Sequence, residues 1–544
     1  MRLSSRAPAG EPDRHRGDVP PPWWRRRWGI TAIASAFVLV AATIVVLTRS
    51  DPNCGPDNPD LYWVGSGANR ECIGLMSEHA YAFDPGDKEL TGILERIAAE
   101  NERVRNAWDK PESDAQAVPY VKVAVLTPMT GNERTALPLA QIKETLKGAY
   151  TAQCRLNKCP ELVKNSDGPL SDVVGPRPNI QLIVASEGRT QTHWKTVVGQ
   201  LARMTGGDHP VVAVTGMGIS IGETRDAAAE LTKQHLPSVG AVISATDLDA
   251  GEFFKVSPSN EDSAKALHKY FRSIHPALGK GYLIYDSKAD NFTRSLRDGF
   301  EKQFKDEIHG RAGFRGQTIP QGKAMQQLFT PIVTNVCMTN AKAIFYAGRS
   351  RDLPALVSTL AGNPCTPRRP LTIFTCSTGL WGAGQDKKLS RQLSSSGITV
   401  VDASATDPKN WMDGKGEVPE GFPPFYKAWR ALKFNKEDLW TGYGTLEHDA
   451  FLVAGQATRN AYYGQNTPGD TPQPAEEQVI PNSEDVAGQI INLSDHFAVR
   501  AASGTISFDA TNVTHGWPLE KPIPITIVPR EPESSPPVYK TARP

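Results

Sequence analysis

The 544-residue sequence lacks any excess of charge of one sign: 60 lysines and arginines face 59 aspartates and glutamates, a formal net charge of +1. No basic stripe interleaved with aromatics runs along any segment. Nucleic acid is therefore not an expected partner. The spacings that mark common metal and nucleotide sites are missing too: there is no HExxH, no CxxC and no GxxxxGKS or GxxxxGKT. The sequence offers no catalytic residue, no metal-ligand set and no cofactor site.

Long apolar runs are almost absent, and the exception is informative. Gly29–Leu47 is uncharged and long enough to cross a hydrocarbon core ~30 Å thick. Arg25, Arg26 and Arg27 precede it, with Arg2, Arg6, Arg14 and Arg16 further upstream, while only Arg49 follows closely. Positive charge on that side predicts a disordered cytoplasmic tail over 1–28, a transmembrane helix over 29–48, and an extracytoplasmic chain beyond. A cleaved signal peptide is the alternative, but the run exceeds a usual apolar region and no small-x-small pattern follows it. Asp51, Pro52 and Asn53 before Cys54 exclude a lipobox. A retained anchor in the cell membrane is expected.

Cysteine is also sparse, at seven residues. In an exported chain an odd number implies disulfides and one thiol left over. Cys54 and Cys72 can close a first loop, and Cys154 and Cys159 form a local pair. Cys337 ends a helix before one expected strand, and Cys365 follows the helix before the next. Both then lie at the amino-terminal edge of neighbouring parallel strands, and a disulfide between Cys337 and Cys365 is expected. Cys376 sits at the opposite edge, too far for a bond that needs Cα atoms within about 7 Å, and is expected free.

What the sequence does contain, from Val121 to Asp509, is an α/β alternation. β-rich runs end in small polar turns and feed amphipathic helices. Tyr120–Leu126 alternates Val121, Val123 and Val125. Leu139, Ile142, Leu146 and Ala149 follow at helical spacing, and similar stripes run over Phe292–Phe304 and Met325–Val336. Residues 51–118 read as a separate juxtamembrane segment with a charged helix near Glu89–Trp108, and 529–544 as a polar tail. Open α/β sheets bind ligands beyond the carboxyl ends of their strands. Those ends are expected at Leu126–Gly131, Ala213–Gly222, Val242–Asp247, Leu283–Phe292, Ile344–Asp352 and Thr372–Gly379.

The turn Thr215–Gly222, TGMGISIG, can hold an anion on backbone N–H groups. It is loosely similar to the cofactor turn of short-chain dehydrogenases. However, Ser220 stands where that family needs glycine, and no tyrosine has a lysine four residues on. The structural alternative for Ser220 is a helix cap. Arg349 and Arg351 flank Asp352 at a strand end, which suits an anionic ligand or a solvated rim. His448-Asp449 opens an apolar helix and reads as structural.

The order of these turns, with Pro128-Met129-Thr130-Gly131, Pro258–Leu267 (PSNEDSAKAL) and Gly504–Asp509 (GTISFD), resembles the type I periplasmic solute-binding proteins. That family includes the branched-chain amino-acid receptors of ABC importers. The resemblance spans roughly residues 119–528. It implies two doubly wound, mainly parallel sheets joined by a hinge that the chain crosses three times. Lobe one would comprise 119–250 and 385–495, and lobe two 251–384 and 496–528. It also implies that Gly218, Ser220, Ala245 and Thr246 hold a ligand's carboxylate and amine. Lobe two would add an aromatic and an acid, Phe292, although Asn291-Phe292 stands where Tyr-Gly is usual, and Asp352, while the flanking Arg349 suits an anionic group of the ligand. The expected function is capture of a small polar ligand, an amino acid or related anion, for an ABC permease. The alternatives are a membrane-anchored sensor acting on a signalling partner and, less favoured, an extracytoplasmic hydrolase.

Overall fold

The computed structural model describes residues 53–542 except 56, 112–116, 132–134, 136, 165–174, 275–279, 317–322, 364–369, 377–385, 467–476, 512–514 and 530–536. The expected tail and transmembrane helix lie outside these residues. Among the described residues no helix is long and apolar enough to cross a membrane.

The first sheet is built from β1 (Leu61–Val64), β2 (Glu71–Met76), β3 (Tyr120–Leu126), β4 (Asn179–Ser186), β5 (Val211–Gly216), β6 (Ser238–Gly240) and β7 (Phe253–Lys255). Its order is β1-β2-β4-β3-β5-β6-β7. From β4 to β7 every pairing is parallel, whereas β1 and β2 form an antiparallel hairpin added at the β4 edge. The alternation in β3 explains its place. Val121, Val123 and Val125 enter one apolar cluster while Ala124 and Leu126 enter the other, so both faces are covered.

The second sheet repeats this plan with β8 (Gly281–Asp286), β9 (Ile308–Phe314), β10 (Ala343–Ala347), β11 (Leu371–Thr375) and β12 (Ile398–Ala403). A small hairpin, β13 (Val499–Ala501) and β14 (Gly504–Ile506), precedes β15 (Pro522–Val528) and β16 (Val538–Lys540). The sheet order is β16-β15-β12-β11-β10-β8-β9, with β15 and β16 antiparallel at one edge. Ile344 and Tyr346 of β10 face one core, and Ala343, Phe345 and Ala347 face the other.

The chain crosses between the sheets after β7, after β12 and between β14 and β15, but not at the expected boundaries. β12 falls within the span assigned to lobe one, yet it pairs with β11 in the second sheet, where Val400 and Val401 enter opposite cores. The β13–β14 hairpin, expected in lobe two, packs Val499, Ala501 and Ile506 into the core of lobe one. Residues 51–118 are not a separate segment either. β1, β2 and the helix Lys88–Asp109 belong to lobe one, with Leu61, Leu90, Ile93 and Leu94 buried in its core. The polar tail contributes β16. The strand whose carboxyl end was expected at Val242–Asp247 is Ser238–Gly240, and Val242–Asp247 follows it as loop.

Disulfides join Cys54 to Cys72 and Cys154 to Cys159, and Cys376 is free and buried. Cys337 is disulfide-bonded, whereas Cys365 lies outside the described residues.

Candidate functional site

The carboxyl ends of both sheets face a cleft holding a cavity of about 910 Å³. Three turns of lobe one line it. Thr135 and Leu137 follow β3, Arg189, Thr190 and Gln191 follow β4, and Ile219, Ile221, Gly222 and Glu223 follow β5. Lobe two supplies Ser287 to Asn291 after β8 and Arg349 and Arg351 after β10. The β1–β2 loop places Asn69 on the same wall.

Local chemistry fixes these turns. After β4, the Gln191 amide donates to Glu187 Oε1 at 2.8 Å and to Thr224 Oγ1 at 3.1 Å. Burial pushes the Glu187 carboxyl up to about 8. Gly218, at φ +58°, lies against that amide: a Cβ there would meet Gln191 Nε2 at 2.3 Å. Glu71 of β2 ties the extension to the site, because its Oε2 accepts from Thr130 Oγ1 at 3.0 Å and from the Arg189 backbone N–H at 2.8 Å. On lobe two, Asp290 caps the helix Asn291–Gln303 by accepting from the Thr293 N–H. Its other oxygen accepts from Arg349 Nε at 2.9 Å and Nη2 at 2.7 Å. The Arg349 guanidinium also lies over the Phe292 ring, 5.0 Å from the centroid.

Of the seven site residues expected from sequence, Arg349 lines the cavity, and Gly218, Ser220, Ala245, Thr246, Phe292 and Asp352 do not. Most of them meet instead in a seam where the lobes touch. The Ser220 hydroxyl accepts from the N–H groups of Ser244 at 3.1 Å and Ala245 at 3.3 Å. It is therefore not a helix cap, and the side chain is buried. The Ser220 carbonyl accepts from the Phe292 N–H at 3.2 Å and from Arg349 Nη2 at 3.4 Å, both from lobe two. Thr246 bonds Ser295 through its N–H and its hydroxyl, each at 3.0 Å. Phe292 is 8% exposed and packs in the lobe-two core. Asp352 is fully buried, 3.4 Å from Arg351 Nε.

The β4 turn was missed, although its signal was present. Asn179–Ser186 is a β-rich run ending in Glu187-Gly188-Arg189, which the strand-end rule covers. Lys288 and Ser287 line the cavity and lie within the Leu283–Phe292 end, where Phe292 alone was expected at the site.

No protein-family model matches the chain, and no curated protein sequence matches it. Solved structures do match. The branched-chain amino acid transporter substrate-binding protein LivJ of Streptococcus pneumoniae, in complex with isoleucine, aligns at TM-score 0.53 and 18% identity over 78% of this chain and 100% of its own. A solute-binding protein of an ABC transporter from R. palustris, in complex with 4-hydroxybenzoate, aligns at TM-score 0.55 and 12% identity over 78% and 98%. The leucine-binding protein LivK of Thermotoga maritima aligns at TM-score 0.50 and 17% identity over 78% and 98%. The chain has the fold of the type I periplasmic solute-binding proteins, and these neighbours are binding proteins, not enzymes.

Proposed function

We propose that the chain is an extracytoplasmic solute-binding protein, held by a retained N-terminal anchor, that captures an amino acid or related anion between its lobes for an ABC permease. The cleft supports this most directly: turns from both sheets wall one cavity, and its charged lining includes Arg189, Lys288, Arg349 and Arg351. A sensing role is favoured by one observation, that the segment following the proposed anchor is built into lobe one and sends Asn69 to the cavity wall. Thermal denaturation of the full-length protein against a panel of amino acids and organic acids tests the reading. A ligand bound to the native state alone must raise the midpoint, further as its concentration rises. A midpoint unmoved by the whole panel at millimolar concentration sinks it. The anchor is tested separately, by recovering the N-terminal peptides from the membrane fraction; a mature terminus near Asp51 overturns it.

A further inference from the structure

The two walls of the cleft differ in kind. Lobe one presents an apolar strip, Leu137, Ile219 and Ile221, an arginine, Arg189, that is paired with Glu71 at 3.4 Å, and among the described residues one carboxylate, Glu223, for which no ion pair occurs among them. Lobe two presents Lys288, exposed and likewise outside any ion pair among the described residues, beside Arg349 and Arg351. The acid on that wall is already engaged: Asp290 holds Arg349 with one oxygen and the Thr293 N–H and hydroxyl with the other. The lobe-one groups that could cradle a carboxylate at Ser220, Ala245 and Thr246 are taken up in the seam.

We propose that the ligand lies with its carboxylate on lobe two, at Lys288 and the two arginines, its apolar body on Leu137, Ile219 and Ile221, and a hydrogen-bond donor at its far end on Glu223. This rests on the two-lobe capture reading and narrows the ligand class to carboxylates whose donor is remote from the acid. An α-amino acid does not fit. Its ammonium sits beside its carboxylate and would meet the cationic wall without a free acid, where like charges oppose binding.

Calorimetry of the full-length protein with 4-hydroxybenzoate, benzoate and L-isoleucine tests the assignment. The hydroxy acid should bind best, roughly tenfold tighter than benzoate, as one charge-assisted hydrogen bond implies. That gap should vanish in Glu223→Ala. Lys288→Glu, on an exposed side chain, should weaken both aromatic acids by at least about tenfold. Thr246→Ala should leave their affinities within about twofold, since its partners lie in the seam. Isoleucine binding tightest, or affinity that falls in Thr246→Ala while Lys288→Glu is silent, overturns the orientation and leaves the capture reading standing. If none of the three acids binds, this assignment fails, while the capture reading stands or falls on the wider thermal-denaturation panel.

Discussion

Arg349 of lobe two donates to the Ser220 carbonyl of lobe one at 3.4 Å while its Nε and Nη2 both bond Asp290. A single guanidinium thus joins the turn after β10, the cap of the helix Asn291–Gln303 and the turn after β5. Arg351 acts similarly, reaching the Thr135 carbonyl of lobe one at 3.2 Å. Two arginines two residues apart therefore join the lobes, and both do so through main-chain oxygens. The fixed fork of arginine suits this, and lysine could not reproduce it.

The Arg349–Asp290 pair is nearly buried, at 11% and 9% side-chain exposure, so removing one partner leaves a charge uncompensated. Arg349→Ala should destabilise by about 3–5 kcal/mol in denaturant unfolding. Asp290→Asn keeps a capping oxygen and should cost less. The double variant should fall short of the sum by about 1–3 kcal/mol. Strict additivity would show that the two side chains are not coupled.

Ser220→Ala removes the acceptor of two N–H groups in the Ser244–Ala245 turn. The expected loss is about 1–3 kcal/mol of stability, the cost of buried donors left unmatched. A variant as stable as the parent would mean that water replaces the hydroxyl and that the seam is wet.

Much of the architecture was legible because the α/β alternation is a pattern of burial. The helix Leu139–Asn157, with Leu139, Ile142, Leu146 and Ala149 at helical spacing, and strands such as Tyr120–Leu126 carry their periods openly. The lobe boundaries were not legible, because β12 reads alike whichever sheet accepts it. Partner choice there depends on long-range packing of Val400 and Val401, not on local pattern. The site was only half legible. Strand ends pointed to the right edge of each sheet, but Ser220 and Thr246 look equally suited to a ligand or to a neighbouring turn. Only the positions of Ser244, Ala245 and Ser295 decide between those partners.

Cys376 is buried and burial pushes its thiol well above the usual range. It should be inert to a thiol reagent in the native protein and react once the chain is unfolded without reductant. Replacing both Cys54 and Cys72 by alanine opens a loop with a sequence separation of 18. The loss should be about 3 kcal/mol by chain entropy, read from the shift in denaturant midpoint. Three thiols instead of one in the unfolded parent would show one of the bonds to be absent.

Glu447 is fully buried beneath the β5 turn, where Thr215 Oγ1 bonds its Oε1 at 2.7 Å. Burial pushes its carboxyl up to about 8, so the folded protein holds a proton there that the unfolded chain, titrating near the ordinary carboxylate value, releases. Its contribution to stability is thus fully present below the ordinary carboxylate range and declines as pH rises towards 8. Across that window the slope from this one group is roughly 1.4 kcal/mol per pH unit. Glu447→Gln removes the slope, so the variant should gain on the parent steadily from pH 5 to pH 8 in denaturant unfolding. Parallel stability curves for the two proteins over that range would show that the carboxyl is already ionised in the fold.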